Sequence, residues 1–126
     1  MLNQALGTHI ILDLYGCNSN LLMHVEDVQS IMREATKRAK FTVVTEEYHQ
    51  FKPHGVSGAT IIQESHLTLH SWPEFGYASL EIYYCGNNDF VEDAVVYLVG
   101  AFEAKHVERK DMKRGFPETC LQYVTY

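Results

Sequence analysis

The sequence predicts an α+β fold, a two-layer sandwich in which an antiparallel sheet carries two helices on one face. Three observations predict it. Apolar and β-branched residues cluster or alternate with polar ones through several short segments, as half-buried strands require. Two other segments repeat their apolar residues every three or four positions, which is one stripe of an amphipathic helix. The turns between the middle strands are only a few residues long. A parallel crossover needs about a dozen, so those strands must run antiparallel.

Thr8–Tyr15 (THIILDLY) reads as the first strand, closed by Gly16. Asn18 or Ser19 can cap a helix whose stripe is Leu21, Val25, Val28, Met32 and Ala35. Glu26, Arg33, Lys37 and Arg38 lie mostly off that stripe. Phe41–Phe51 reads as the second strand, broken by Pro53 and Gly55 in a Lys-Pro-His-Gly turn. Ala59–Gln63 is the third. His66–Trp72 is the fourth, with Leu67 and Leu69 on one face and His66, Thr68, His70 and Trp72 on the other. Pro73 ends it. Tyr77–Cys85 is the fifth, followed by Gly86. Asn88 or Asp89 can cap a second helix, with Val91, Val95, Leu98 and Phe102 as its stripe. His106–Arg114 suits a last strand, and the tail from Gly115 carries no clear pattern. The fifth strand is apolar enough to call for cover on the sheet's second face, which a second copy of the chain would supply.

Composition narrows the function. The 126 residues suit one domain over 1–126 and bury roughly two-thirds of the unfolded surface, enough for a core without staples. Ten Lys and Arg against 16 Asp and Glu give a net charge of −6. That argues against binding nucleic acid, or an anionic membrane, through charge. With 46% apolar and 21% charged residues, disorder is not expected. The longest apolar runs are too short to span a bilayer, and no basic-then-apolar leader opens the chain. Cys17, Cys85 and Cys120 are odd in number, widely spaced and without a CxxC, which points to a reducing compartment and a cytoplasmic protein.

The chemistry concentrates between Gly55 and Gly86. There stand Glu64-Ser65-His66, His70, Trp72-Pro73-Glu74 and Cys85. Three readings compete on residue chemistry alone. His66 and His70 are four apart, as zinc ligands often are, but on a strand that spacing is about 13 Å, too far for one ion. A third ligand is not evident, and no metal is expected. Ser65 or Cys85 could be a nucleophile activated by His70, although Gly-x-Ser-x-Gly is absent. Otherwise the four residues from His66 to Trp72 are the polar face of an ordinary strand, and Cys85 is a small core residue.

The order and spacing of Gly55-Val56-Ser57-Gly58, Glu64-Ser65-His66-Leu67-Thr68-Leu69-His70, Trp72-Pro73-Glu74 and Tyr84-Cys85-Gly86 resemble one family. It is the small prokaryotic class of S-adenosylmethionine decarboxylases, self-cleaving pyruvoyl enzymes. Gly7-Thr8-His9 and Asp13-Leu14-Tyr15-Gly16-Cys17 are similar too, so the resemblance covers roughly residues 7 to 115. Departures are mild: Ser71 stands where Thr is common, Glu81 stands where Asp is common, and the tail from Phe116 to Tyr126 matches nothing in the pattern.

The resemblance implies cleavage between Glu64 and Ser65, leaving chains 1–64 and 65–126. Ser65 would become the pyruvoyl cofactor, whose ketone forms a Schiff base with the substrate amine. A hydroxyl beside its own upstream peptide is a nucleophile already in place. The resemblance makes His70 the base in processing, a task that suits an imidazole near neutral pH. It gives Ser57 a supporting hydrogen bond in the same step, and it makes Cys85 the proton donor in turnover, since a free thiol is protonated at neutral pH. Phe51, Trp72 and Glu74 match substrate-binding positions. Aromatic rings can stack on adenine and attract a sulfonium, and a carboxylate can accept from ribose hydroxyls. The implied function is decarboxylation of S-adenosylmethionine, giving the aminopropyl donor for spermidine synthesis, in a homodimer with composite active sites. Two alternatives stay open at this point: the same cofactor acting on arginine or ornithine, and a binding domain without activity. Retention of Ser57, Ser65, His70 and Cys85 together argues against the second.

Overall fold

The computed structural model describes residues 4–125; residues 1–3 and 126 of the expected 1–126 span lie outside the described residues. Six strands form one antiparallel sheet: β1 (Gly7–Tyr15), β2 (Val43–Gln50), β3 (Val56–Ile62), β4 (Ser65–Trp72), β5 (Tyr77–Cys85) and β6 (His106–Arg114). Their order across the sheet is β2-β3-β4-β5-β1-β6. Helices α1 (Val25–Arg38) and α2 (Val91–Ala101) pack on one face, and a short α3 (Pro117–Tyr123) follows β6. This is the expected α+β sandwich. The core lies between the sheet and the two long helices. Leu12, Leu80 and Leu69 sit in register across β1, β5 and β4, and Val28, Met32, Ala94 and Leu98 close over them from α1 and α2. Each such leucine, fully buried, contributes about 1.5–3 kcal/mol in apolar transfer.

The alternation expected in the fourth strand is present. Leu67 and Leu69 are fully buried, while His66, Thr68, His70 and Trp72 lie on the opposite, open face. Three boundaries differ by two residues or more. Leu21 belongs to a 3-10 turn, Ser19–Leu21, which the Asn18 side chain caps by accepting from the Asn20 N–H at 3.1 Å. The helix proper starts at Val25, whose N–H donates to Gln50 Oε1 at 2.7 Å; a side chain from the end of β2 thus caps it from outside the local sequence. Strand β2 starts at Val43 because Phe41 turns its ring into the core and its N–H donates to Thr36 O. Strand β3 starts at Val56, three residues before the expected Ala59, since the Ser71 hydroxyl accepts from the Val56 N–H at 2.9 Å. In the tail, α3 is a third helix the sequence pattern does not reveal, and it buries none of its residues.

Candidate active site

The residues singled out from the sequence fall into two separate groups, one at each end of β4. The first surrounds the β3–β4 turn. Ser65 begins β4 with a φ of 154°, in a range L residues rarely adopt, at a cost of about 1–3 kcal/mol. Glu64, just before it, is fixed at both ends. Its side-chain Oε1 accepts from the Thr42 N–H at 3.1 Å, and its backbone carbonyl accepts from the Cys85 N–H at 2.9 Å. Strand β5 pairs with β4 so that Tyr84 faces Ser65, which brings the exposed Cys85 level with the Glu64–Ser65 peptide. A backbone N–H is therefore already aimed at the carbonyl oxygen of the peptide that precedes the Ser65 hydroxyl, an arrangement able to stabilise a developing oxyanion.

The second group sits at the other end of β4. Ser57 and His70 are cross-strand partners in the β3–β4 ladder, and Ser57 Oγ shares a hydrogen bond of 2.7 Å with His70 Nδ1. They line a cavity of about 240 Å³ together with Phe51, His54, Trp72 and Glu74. Phe51 is held there by the tight end of the β2–β3 hairpin, where its N–H donates to Gly55 O at 2.8 Å. Glu74 follows Trp72 in a 3-10 turn, Pro73–Phe75, anchored by the buried Pro73. Gly76 closes the turn with φ 58°, a left-handed conformation that glycine adopts without strain, and returns the chain into β5. The result is an aromatic cleft with a serine–histidine pair on its floor and a carboxylate at its rim.

One chain does not bring the two groups together. Ser65 and His70 are five residues apart on one extended strand, about 16 Å at 3.3 Å per residue. Cys85 stays with Ser65, whereas Ser57, Phe51, Trp72 and Glu74 stay with His70.

Two cavity residues escaped the sequence reading. His54 lies in the turn that the sequence marks only as a strand breaker, and its Nδ1 is buried without a hydrogen-bond partner. Ser71 also lines the cavity, but its hydroxyl is committed to Val56 N and to Leu22 O. His66 does not approach a metal site with His70, as strand geometry requires. It instead comes near His9 and Glu81, whose candidate ligand atoms all lie within 4.8 Å of one another. Arg114 donates to His9 Nδ1 at 3.3 Å, which leaves the ring proton on Nε2, 3.5 Å from Glu81 Oε2. A cation would need the lone pair of that same nitrogen. Thr68 also donates to Glu81 Oε1 at 3.1 Å, so the trio reads as part of a polar network on the sheet face.

A family model described as S-adenosylmethionine decarboxylase matches residues 8–115. The chain is 46% identical over 112 residues to an S-adenosylmethionine decarboxylase proenzyme of Acidithiobacillus ferrooxidans, covering 89% of this chain and 84% of that one. It is 42% identical over 111 residues to the proenzyme of the same name from Thermodesulfovibrio yellowstonii, covering 88% and 82%. The crystal structure of the adenosylmethionine decarboxylase from Aquifex aeolicus vf5 superimposes with a TM-score of 0.84 at 34% identity, over 89% of this chain and 92% of that one.

Proposed function

The chain belongs to the S-adenosylmethionine decarboxylase family, and from that we propose that it decarboxylates S-adenosylmethionine with a pyruvoyl group made from its own Ser65. The observation that carries the reading is the Cys85 N–H on the Glu64 carbonyl, beside a serine in a strained backbone conformation. Release of that strain on cleavage, and stabilisation of the oxyanion, both favour reaction at this one peptide bond.

The steps follow from the groups present. Ser65 Oγ adds to the Glu64 carbonyl carbon, and the Cys85 N–H holds the oxygen as it becomes negative. The Glu64–Ser65 C–N bond breaks, leaving an ester between the two residues and a free amine on Ser65. A base then removes the Ser65 α-proton, the Cβ–Oγ bond breaks, and Glu64 departs as a carboxylate. Tautomerisation and hydrolysis of the resulting dehydroalanine release ammonia and leave a ketone at the head of chain 65–126. His70 is the base, but at about 16 Å along its own strand it cannot serve its own Ser65. His70 of the partner subunit must do so, with Ser57 of the partner subunit hydrogen-bonded to it. In this reading the protein works as a homodimer in which each Ser65–Cys85 group lies against the opposite Ser57–His70 group.

The pyruvoyl ketone supplies an electrophile that condenses with the substrate amine and accepts the electrons released with CO₂. The Cys85 thiol, exposed beside Ser65, delivers a proton to the carbon that has lost CO₂. Phe51 and Trp72 offer flat apolar surface to an adenine and π-faces to a sulfonium, and the exposed Glu74 carboxylate can accept from ribose hydroxyls. The product is the aminopropyl donor for spermidine synthesis. No helix among the described residues is long and apolar enough to cross a membrane, and all three cysteines are free; we place the enzyme in the cytoplasm. Release of CO₂ from S-adenosylmethionine, arginine and ornithine by the cleaved protein tests the reading. Turnover of S-adenosylmethionine alone is expected, and turnover of arginine or ornithine in its place would overturn it.

A further inference from the structure

Trp72 is the only tryptophan in the chain, and it lines the cavity next to His70 and Glu74. What holds its ring lies outside that cavity. Tyr77, its cross-strand partner on β5, stacks on it with centroids 5.3 Å apart and planes inclined by 29°. Tyr15 stacks on Tyr77 in turn, at 5.2 Å and 26°. The Tyr77 hydroxyl donates to Asp13 Oδ1 at 2.6 Å, so a carboxylate on β1 fixes the middle ring of the three. Burial and this hydrogen bond push the Tyr77 phenol up to about 12, and it stays a donor throughout the physiological range. With Tyr77 against one face of Trp72, the opposite face is the one left for a flat ligand.

We propose that Tyr77, locked by Asp13, is a positioning residue that fixes the plane of Trp72 and thereby the affinity for the flat base of the substrate. Tyr77 and Asp13 touch neither the reacting atoms nor the Ser57–His70 pair, so their effect falls on binding. The inference rests on the substrate reading above, in which Trp72 meets a nucleoside. An aromatic stacking pair is worth about 0.5–1.5 kcal/mol, which converts to roughly a two- to tenfold change in binding.

The test compares Tyr77→Leu, Tyr77→Phe and wild type, each assayed after self-cleavage is complete. Tyr77→Leu is expected to raise KM for S-adenosylmethionine by roughly two- to tenfold, with kcat nearly unchanged. Tyr77→Phe keeps the stacked ring and should bring KM most of the way back. Because Trp72 is the sole tryptophan, its emission should shift in Tyr77→Leu and stay close to wild type in Tyr77→Phe. If Tyr77→Leu does not fold, Tyr77→Val, β-branched and suited to a strand, carries the same comparison, since it too removes the stacked ring. A loss confined to kcat, or an unaltered KM with unaltered Trp72 emission, would overturn the proposal. Wild-type protein that ignores S-adenosylmethionine would sink the substrate reading instead, while the emission of Trp72 still decides whether Tyr77 holds it.

Discussion

Ser57 Oγ lies 2.7 Å from His70 Nδ1, while Ser65 begins the very strand that carries His70, five residues away. A pair so closely joined, and so far from the hydroxyl it is needed to serve, makes sense if the site is assembled from two chains. In the proposed homodimer, a two-fold axis near the middle of β4 would set each Ser65 against His70 of the partner subunit. The open face of the sheet, with its partly buried His9, Glu81 and Tyr83, is the surface available for that contact.

Complementation between two inactive variants should reveal the shared site. Ser65→Ala and His70→Ala are each expected to remain whole when expressed alone. In mixed dimers, isolated with two different tags, the His70→Ala chain should be cut, because it keeps Ser65 and faces an intact His70. The Ser65→Ala chain should stay whole. A His70→Ala chain that remains uncut in mixed dimers, or that cuts normally by itself, would show that the residue acts elsewhere.

In the proposed mechanism Cys85 contributes to two stages through different atoms. Its backbone N–H holds the Glu64 carbonyl, and its thiol is exposed beside Ser65. Cys85→Ala keeps the first and loses the second, so it should still self-cleave, at least in part. Its turnover per pyruvoyl group should drop by about 10²–10⁴, the range for a positioned acid. With protonation left to water, some turnovers should place the proton on the cofactor carbon and inactivate the enzyme as an amine, releasing an aldehyde. Gel analysis of cleavage paired with a CO₂ assay on the cleaved fraction separates these effects. Wild-type turnover in Cys85→Ala would return the thiol to a packing role.

Much of this arrangement is legible in the sequence because it depends on period-two alternation. His66, Thr68, His70 and Trp72 share a face simply by their spacing, and hairpin turns fix β3, β4 and β5 as neighbours. The start of α1 is not legible, since its cap is Gln50, distant in sequence. Placement of β1 between β5 and β6 is equally hidden, because those pairings span most of the chain. His54 sits in a turn whose composition marks only a break, and Asp13 and Tyr77 are 64 residues apart. The separation of Ser65 from His70 follows from β4 starting at Ser65, one residue before the strand the sequence marks.

Alkaline pH should weaken the fold, most strongly through two groups. Burial pushes the Cys17 thiol from 9.0 up to about 11, and burial with the Asp13 hydrogen bond pushes Tyr77 from 10.0 up to about 12. In both cases the folded state holds its proton more tightly than the unfolded chain. The unfolded chain therefore loses protons first, and stability falls as pH rises. The contribution is full below the unfolded values. It should decline between about 9 and 11 for Cys17 and between about 10 and 12 for Tyr77. Urea midpoints measured against pH should show this decline, flattened in its lower part by Cys17→Ala and in its upper part by Tyr77→Phe. A wild-type profile that is level through this window would contradict both assignments.

Intact-mass measurement of the purified wild-type chain bears most directly on the proposed chemistry. It should find two polypeptides, residues 1–64 and 65–126, with the second blocked at its N-terminus by a ketone in place of the Ser65 amine. Ser65→Ala, treated identically, should give one chain. Wild-type protein that persists as a single full-length chain under all conditions would contradict the making of a cofactor from Ser65, and with it the mechanism built on that residue.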